Sequence, residues 1–207
     1  MSVEEITDSI SQLKVEEEIQ LPEEIKEYFK KIKPEIEKIV SRKNKDIDPN
    51  DKDILDDDSE FTMKMKIEEL KRKQITMKYG GIWQVAIGNF PGWEDLGIGH
   101  ETECDLRRLD NTAIVELKNK YNTCNSGSKK DLERKLTNYK KNNPNTECIW
   151  DILNEKEGNK CHKNEYNVNG ESIIKWQGKD FLKYCLTYEG IDYTEIIIKE
   201  LKEILYS

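Results

Sequence analysis

The chain has 207 residues, of which 34 are basic and 42 acidic, giving a formal net charge of −8. No apolar run approaches the roughly 20 residues needed to cross a bilayer, and the start of the chain lacks the basic residues of a signal peptide. We therefore exclude a membrane or secreted protein and expect a soluble, cytoplasmic one. Five cysteines without a C-x-x-C spacing indicate neither a disulfide framework nor a zinc site.

The charge is divided unevenly along the chain. Residues 1–60 carry 19 acids and 10 bases, whereas residues 61–207 carry 23 acids and 24 bases. We predict an acidic helical N-terminal extension, residues 1–60, followed by one core domain, residues 61–207. The nearly neutral core is compatible with a nucleic-acid partner, and a solvated surface rich in Lys and Glu is the alternative explanation.

The extension contains two helical patterns. Apolar residues recur at helical spacing at Ile6, Ile10 and Leu13. A second stripe is formed by Ile25, Phe29, Ile32, Ile36 and Ile39. This narrow stripe favours an amphipathic helix that lies on its own domain, with a dimerisation seam as the alternative. Polar residues 44–59 indicate a linker.

A third helix is predicted over residues 61–77, and Gly80-Gly81 is expected to end it. Its apolar stripe consists of Met63, Ile67, Leu70 and Met77. The next residues, 82–101, combine two tryptophans with several glycines. This segment is either a loop whose backbone approaches a ligand, with Glu94 as a candidate metal-site residue, or a tight structural loop anchored by buried tryptophans.

Two β-prone runs follow, residues 104–109 and 112–120. They flank Asp110-Asn111, a pair whose side chains tolerate the left-handed backbone of a two-residue turn. We therefore predict a β-hairpin. Residues paired across such a turn keep a constant sum of numbers, so Arg107 should face Ile114.

The same register places two carboxylates opposite each other, those of Asp105 and Glu116. Opposed carboxylates repel, and this repulsion destabilises a hairpin unless a positive group lies between them. Opposed Cβ atoms stand about 5 Å apart, which suits two oxygen ligands on one hard cation such as Mg²⁺. Lys118 points to the same face as Glu116, beside the water that such a cation would hold.

The spacing of Asp105, ten intervening residues and Glu116-Leu117-Lys118 resembles the signature of the PD-(D/E)xK nuclease superfamily. Its surroundings are more specific and are similar to type II restriction endonucleases, in particular the branch that cuts GGNCC or GGWCC sites. The residues that carry this similarity are Trp83-Gln84, Ile87-Gly88-Asn89, Gly92-Trp93-Glu94, Gly97, Gly99, Asn119 to Thr123, Ser128-Lys129-Lys130 and Gly178 to Phe181. The chain departs from the pattern at Glu103-Cys104, with no Pro before Asp105.

The resemblance implies Mg²⁺-dependent hydrolysis of double-stranded DNA, with Asp105, Glu116 and the Leu117 backbone carbonyl as metal ligands. Lys118 is expected to orient the attacking water and help to deprotonate it. The candidate auxiliary acids are Glu69 and Glu94. The resemblance also implies a separately encoded DNA methyltransferase and a homodimer, because cutting both strands of a palindrome needs two sites related by a two-fold axis.

After the hairpin we predict a helix capped by Ser128, with Asp131 as its capping-box partner, that ends at Asn142-Asn143-Pro144. The free N–H groups at its start form a natural phosphate site. The predicted DNA-binding residues are Asn119, Lys120, Asn122, Thr123, Ser126, Ser128, Lys129 and Lys130.

Residues 147–153 are predicted to form a strand, so a strand, helix and strand make a crossover whose outer strands are parallel. The expected fold class is α/β, a mixed central β-sheet flanked by helices as in restriction endonucleases, with the helical N-terminal extension added. Residues 154–170 lack periodicity and indicate a surface loop or irregular hairpin, either mobile or able to read bases in a DNA groove. Helices are predicted over residues 178–187 and 193–206.

Three functional hypotheses follow. The first is a type II restriction endonuclease. The second is a repair or recombination nuclease of the same superfamily, which would use the same side chains but recognise DNA structure instead of sequence. The third is a non-catalytic DNA-binding or interaction protein, in which the hairpin carboxylates are only surface charge and bind no Mg²⁺.

Overall fold

A computed structural model describes residues 21–42, 60–120, 126–154 and 162–206. The helical pattern predicted at Ile6, Ile10 and Leu13 and the linker predicted over residues 44–59 lie outside these described residues. No helix in the described ranges is long and apolar enough to span a membrane.

The architecture is a mixed six-stranded sheet flanked by helices, as predicted. Its elements are α1 (Glu23–Ser41), α2 (Glu60–Gly88), β1 (Trp93–Asp95), β2 (Leu106–Arg108), β3 (Ala113–Lys120), α3 (Ser126–Asn142), β4 (Glu147–Asn154), β5 (His162–Val168), β6 (Glu171–Gln177), α4 (Lys179–Cys185), β7 (Thr187–Tyr188), β8 (Ile191–Asp192) and α5 (Thr194–Tyr206). The sheet order is β1-β2-β3-β4-β6-β5, and β7 and β8 form a separate ribbon. The pairs β3–β4 and β4–β6 are parallel, and the other pairs are antiparallel.

The two faces of the sheet have separate cores. We call the face that carries Ile114, Glu116 and Lys118 the front face and the face that carries Val115 and Leu117 the back face, because side chains alternate along β3. On the front face, α3 covers a cluster of buried residues. Its members are Cys104, Ile114, Leu132, Leu136, Cys148, Trp150, Ile152 and Ile173. On the back face a larger core receives side chains from α1, α2, α4 and α5.

Helix α1 packs on its own domain, as the predicted amphipathic stripe indicated. Its buried residues are Ile25, Tyr28, Ile32 and Ile36, and all four belong to the back-face core. The buried Tyr28 hydroxyl donates a hydrogen bond of 2.9 Å to the Ala86 carbonyl of α2. The division of the chain at residue 60 stays a prediction.

Helix α2 does not end at Gly80-Gly81, and the prediction that it would was wrong. The helix continues to Gly88 because Ile82, Ala86 and Ile87 are buried in the back-face core, and this burial outweighs the cost of about 1 kcal/mol per helical glycine. Met77, expected on the apolar stripe, is 70% exposed.

The β3–α3–β4 crossover with parallel outer strands is confirmed, and α3 ends at Asn142 as predicted. The expected cap at Ser128 was wrong, because the helical backbone already begins at Ser126 and places Ser128 in the first turn. Leu132 and Leu136 of α3 are buried against the sheet.

Residues 162–168 form a regular edge strand, β5, where a loop or irregular hairpin was expected. Asn169 and Gly170 both have positive φ, at 52° and 88°, which suits a tight two-residue hairpin turn between β5 and β6. The strand had no readable period because most of its side chains on both faces are exposed and polar. Residues 155–161 lie outside the described residues.

Candidate functional site

The β2–β3 hairpin has the predicted register. Arg107 pairs with Ile114 and Leu106 with Val115, and the same register brings Asp105, just before β2, opposite Glu116. The turn, however, is not the expected two-residue Asp110-Asn111 turn, because four residues, 109–112, lie between the strands. A two-residue turn of type I′ needs positive φ at both positions, and within this turn only Asn111 has it, at 59°.

Asp105 is held by the backbone of β3. Its Oδ2 accepts a hydrogen bond of 2.7 Å from the Leu117 N–H, and its own N–H donates to the Val115 carbonyl at 3.0 Å. Burial and then the nearby Glu116 carboxylate raise the pKa of Asp105 to about 6, although Lys118 and the Leu117 hydrogen bond act in the opposite direction. A bound cation would therefore stabilise the ionised form of the Asp105 carboxyl at this position.

Glu116 and Lys118 form a close ion pair on the front face of β3. The Lys118 Nζ lies 2.7 Å from Glu116 Oε1, and the glutamate side chain is only 7% exposed. Glu116 Oε2 is buried without a hydrogen-bond partner. A buried carboxylate oxygen without a partner is costly, so this oxygen is a ready ligand for a cation.

The Asp105 and Glu116 side chains fit a divalent metal ion. Two carboxylates from adjacent strands share one neighbouring ammonium group, one of them has an unpartnered oxygen, and the other has a raised pKa. Hard cations such as Mg²⁺ are bound in this way, through one or two carboxylates with water in the remaining positions. Within the described ranges, no group of three or more His, Cys, Asp or Glu side chains converges on one point. The fit is therefore to a pair of carboxylates, completed by water or by a backbone carbonyl such as that of Leu117.

A cavity of about 490 Å³ opens beside Glu116 and Lys118. Its walls are the front face of β3 and the first half of α3. The residues that line it are Glu103, Glu116, Lys118, Ser128, Asp131, Leu132, Arg134 and Lys135. One water occupies about 30 Å³ in the liquid, so the cavity has room for a phosphate group together with several waters. The Lys135 Nζ donates a hydrogen bond of 3.1 Å to the Glu103 carbonyl at its rim.

Neither candidate auxiliary acid lines this cavity. Glu94 pairs with Arg107 across β1 and β2, and its Oε1 lies 2.6 Å from the Arg107 Nε. Glu69 is exposed on α2. The structure thus brings together Asp105, Glu116 and Lys118 but keeps the two auxiliary acids apart from them.

The predicted DNA-binding residues fall into three groups. Ser126, Ser128, Lys129 and Lys130 lie in the first turns of α3. Asn119 and Lys120 end β3 and point back to α2, where they donate to the carbonyl and hydroxyl oxygens of Thr76 at 3.3 and 3.4 Å. Asn122 and Thr123 lie outside the described residues.

Sequence reasoning predicted Ser128 as a DNA-binding residue at the start of α3 but missed the rest of the wall that this helix contributes to the cavity. Ser128, Asp131 and Lys135 share one helical face, since they are three and four residues apart. This polar stripe was a detectable signal. Nothing local indicates that it faces Glu116, because that juxtaposition depends on the crossover between β3 and β4.

Comparisons with known proteins identify the family of the chain. The sequence pattern of the Eco47II restriction endonuclease family matches residues 9–186. The chain is also 32% identical over 85 residues to the type II restriction enzyme Sau96I of Staphylococcus aureus. That match covers 40% of this chain and 32% of Sau96I, so it spans about a third of the length of the relative. Because the family pattern extends over most of the sequence, the chain belongs to the Eco47II restriction endonuclease family.

Proposed function

We propose that this protein is a type II restriction endonuclease that hydrolyses phosphodiester bonds of double-stranded DNA at a short specific site. The observation that carries the proposal is the front-face group of Asp105, Glu116 and Lys118, in which the lysine lies 2.7 Å from the glutamate beside an open cavity. Membership of the Eco47II family supports it.

Asp105 and Glu116 would hold a Mg²⁺ ion, with the Leu117 carbonyl as a further candidate ligand. When bound, the ion supplies Lewis-acid polarisation of the phosphate and lowers the pKa of a water molecule. The chain's own part is to hold two carboxylates in a fixed relation. The Leu117 N–H fixes Asp105, and Lys118 fixes Glu116.

Lys118 would act on the water and on the reacting phosphate. Its ammonium group, held by Glu116 Oε1, can donate hydrogen bonds that orient the attacking water. As the water oxygen bonds to phosphorus, one P–O ester bond breaks. The attacking water would release one proton to solvent, and the leaving oxygen would take one up from a solvent water. The same positive charge would stabilise the negative charge that develops on the phosphate oxygens.

Cleavage of both strands would need two such sites. A homodimer with two-fold symmetry would place one site on each strand of a palindrome. A separately encoded DNA methyltransferase and a cytoplasmic location complete the proposal, because the host's own sites must be protected where the nuclease works.

The test is digestion of unmethylated phage DNA by the purified protein with Mg²⁺, beside an EDTA control and an Asp105→Ala control. Discrete bands that vanish in both controls are expected, and mapping their ends gives the recognition sequence. Short duplexes with GGACC and GGGCC then separate the two site types of the resemblance, since GGWCC includes only the first and GGNCC includes both.

Two other outcomes would count against the proposal. Intact DNA in every lane would favour a non-catalytic binding protein. Cleavage of branched or flapped DNA without a defined site in plain duplex would favour a repair or recombination nuclease.

A further inference from the structure

The register of the parallel strands extends the front face beyond the catalytic group. Glu116 of β3 pairs with Trp150 of β4, and Trp150 pairs with Lys175 of β6. Directly paired residues in a sheet share one face. Strands are about 4.8 Å apart, so the Lys175 backbone lies about 10 Å across the sheet from that of Glu116.

Lys175 and Lys129 lie over the same indole ring. The Lys175 Nζ is 4.8 Å and the Lys129 Nζ 6.0 Å from the centroid of the Trp150 ring. Trp150 itself is 4% exposed, and its Nε1 has no hydrogen-bond partner. Two ammonium groups therefore lie over the indole of the residue that pairs with Glu116, and the N–H donor of this indole has no partner.

Lys175 of β6 lies close to the first turn of α3. The crossover makes α3 run antiparallel to β3 and β4, so its first turn lies near the carboxyl ends of these strands. Two residues before Lys175, Ile173 is fully buried in the cluster under Leu132 and Leu136. Lys175 is only half-buried. Its side chain is therefore partly exposed at the point where α3 no longer packs on the sheet.

The charges around Lys175 are not balanced by the protein. Lys129 lies 3.6 Å from Glu133 of its own helix, whereas Lys175 has no carboxylate within ion-pair distance in the part of the chain that the structure describes. The free N–H groups of the first turn of α3 add further positive potential here. This arrangement is suited to an anion.

We propose that Lys175, together with Lys129, binds a DNA backbone phosphate next to the one that is cleaved. The inference rests on the proposed nuclease function and adds a binding residue to it. Phosphates follow one another every 3.4 Å or so of helix axis on each strand, so a backbone that places one phosphate at Glu116 passes within reach of a lysine two strands away. Lys175 contacts no reacting atom and serves to position the DNA.

The molecule contains a matched control on the back face. Lys163 of β5 pairs with Trp176 of β6, and its Nζ lies 4.3 Å from the centroid of the Trp176 ring. This is the same lysine-over-tryptophan contact as that of Lys175 with Trp150. Lys163 faces away from Glu116, however, and lies 3.8 Å from the Glu147 carboxylate. A purely structural role would give the two lysines the same properties.

The experiment measures the affinity of the full chain for a labelled duplex that contains GGACC, in EDTA so that no cleavage occurs, from about 50 to 200 mM salt. The proteins are the wild type, Lys175→Gln, Lys175→Arg and Lys163→Gln. Glutamine keeps the first two of the four side-chain methylenes, ends in a polar amide and removes the charge. Thermal unfolding of the two glutamine variants is compared in parallel, and the two transitions should coincide.

The expected result is a loss of one phosphate contact in Lys175→Gln alone. The slope of log K against log salt should become shallower by about 0.9, with weaker binding at low salt. Lys175→Arg should restore the slope, and Lys163→Gln should match the wild type.

Two results would overturn the inference. One is an unchanged slope in Lys175→Gln, and the other is an equal change in Lys163→Gln. Either result would show that Lys175 only packs on Trp150 and binds no phosphate. A different outcome, in which the wild-type protein neither binds nor cuts DNA, would contradict the proposed nuclease function itself and not only the role of Lys175.

Discussion

The front and back faces of the sheet each hold a buried carboxyl group on the same pair of strands. Glu116 lies on the front face opposite Trp150, and Asp151 lies on the back face opposite Leu117. Glu116 has an ammonium group at 2.7 Å and borders an open cavity. Asp151 is fully buried, and neither of its oxygens has a partner with hydrogen-bond geometry.

The difference shows what makes a buried acid useful to a metal site. Burial raises the pKa of Asp151 well above its usual range, although the Ile152 N–H opposes the shift. Burial also raises the pKa of the nearby Cys185 thiol. In a dry core without a cation or an open side, the ionised form of an acid is disfavoured. The front-face acid has both an ammonium group and an open cavity beside it, which suits it to bind a cation.

The largest expected effect separates the two acids by function. Glu116→Gln should slow Mg²⁺-dependent DNA cleavage by at least about 10²-fold, a loss comparable to removing one preorganised electrostatic group from an active site. Asp151→Asn, on the opposite face, should cleave at close to the wild-type rate. Single-turnover rates at equal DNA occupancy measure both. If Glu116→Gln cleaves DNA at the wild-type rate, the proposed functional difference between the front-face and back-face acids is contradicted.

The register of the hairpin that supplies Asp105 and Glu116 could be predicted to the residue, whereas its turn and much of its surroundings could not. The register followed from a period of two and a turn near Asp110, which are local properties. The row from Glu116 through Trp150 to Lys175 depends on parallel pairing between strands far apart in the chain. No local pattern encodes that register.

The errors in the predicted elements have similar physical causes. Gly80-Gly81 is a stop signal in an isolated helix, but the burial of Ile82 and Ala86 after it is a tertiary effect. The edge strand β5 exposes polar side chains on both faces and so shows no period. Local chemistry predicted turns and faces, and packing decided where the elements end.

The close packing of α2 provides a test by overpacking. In Gly88→Ala the new Cβ would lie 2.5 Å from the Asp95 Cβ and 2.7 Å from the Asp95 backbone nitrogen, so the free energy of unfolding should fall by about 1–3 kcal/mol. Gly80→Ala is the control in the same helix, because its Cβ would meet the Asn119 Cβ at an ordinary 4.0 Å. Urea denaturation should show the control unchanged or stabilised, and equal losses in both would contradict the packing argument.

The pH dependence of stability should reveal the neutral acid of the back face. The folded-state pKa of Asp151 is raised. The contribution of this residue to the free energy of unfolding is therefore fully present below the unfolded pKa of about 3.9. It is lost as pH rises toward the folded pKa, by about 1.4 kcal/mol per pH unit in that window. The wild type should therefore lose stability relative to Asp151→Asn from about pH 4 upward. Parallel curves for the two proteins would show that Asp151 is not neutral.

Mg²⁺ bound by Asp105 and Glu116 should raise the Tm of the protein by a small, pH-dependent amount. The pKa of Asp105 is raised to about 6, so protons compete with a cation below that pH and much less above it. Mg²⁺ at about ten times its Kd adds about 1.4 kcal/mol, or a rise of roughly 3–5 °C in Tm at pH 8. The rise should be smaller at pH 5 and absent in Asp105→Asn. An equal rise in Asp105→Asn would place the metal elsewhere.

The catalytic role of Lys118 is tested by comparing the wild type with Lys118→Ala in single-turnover cleavage of site-containing DNA at pH 8 with Mg²⁺. DNA binding is measured on the same samples in EDTA. We expect defined fragments from the wild type and cleavage at least about 10²-fold slower in Lys118→Ala, with similar DNA affinity for both proteins. Equal cleavage rates would contradict the assignment of Asp105, Glu116 and Lys118 as the catalytic group.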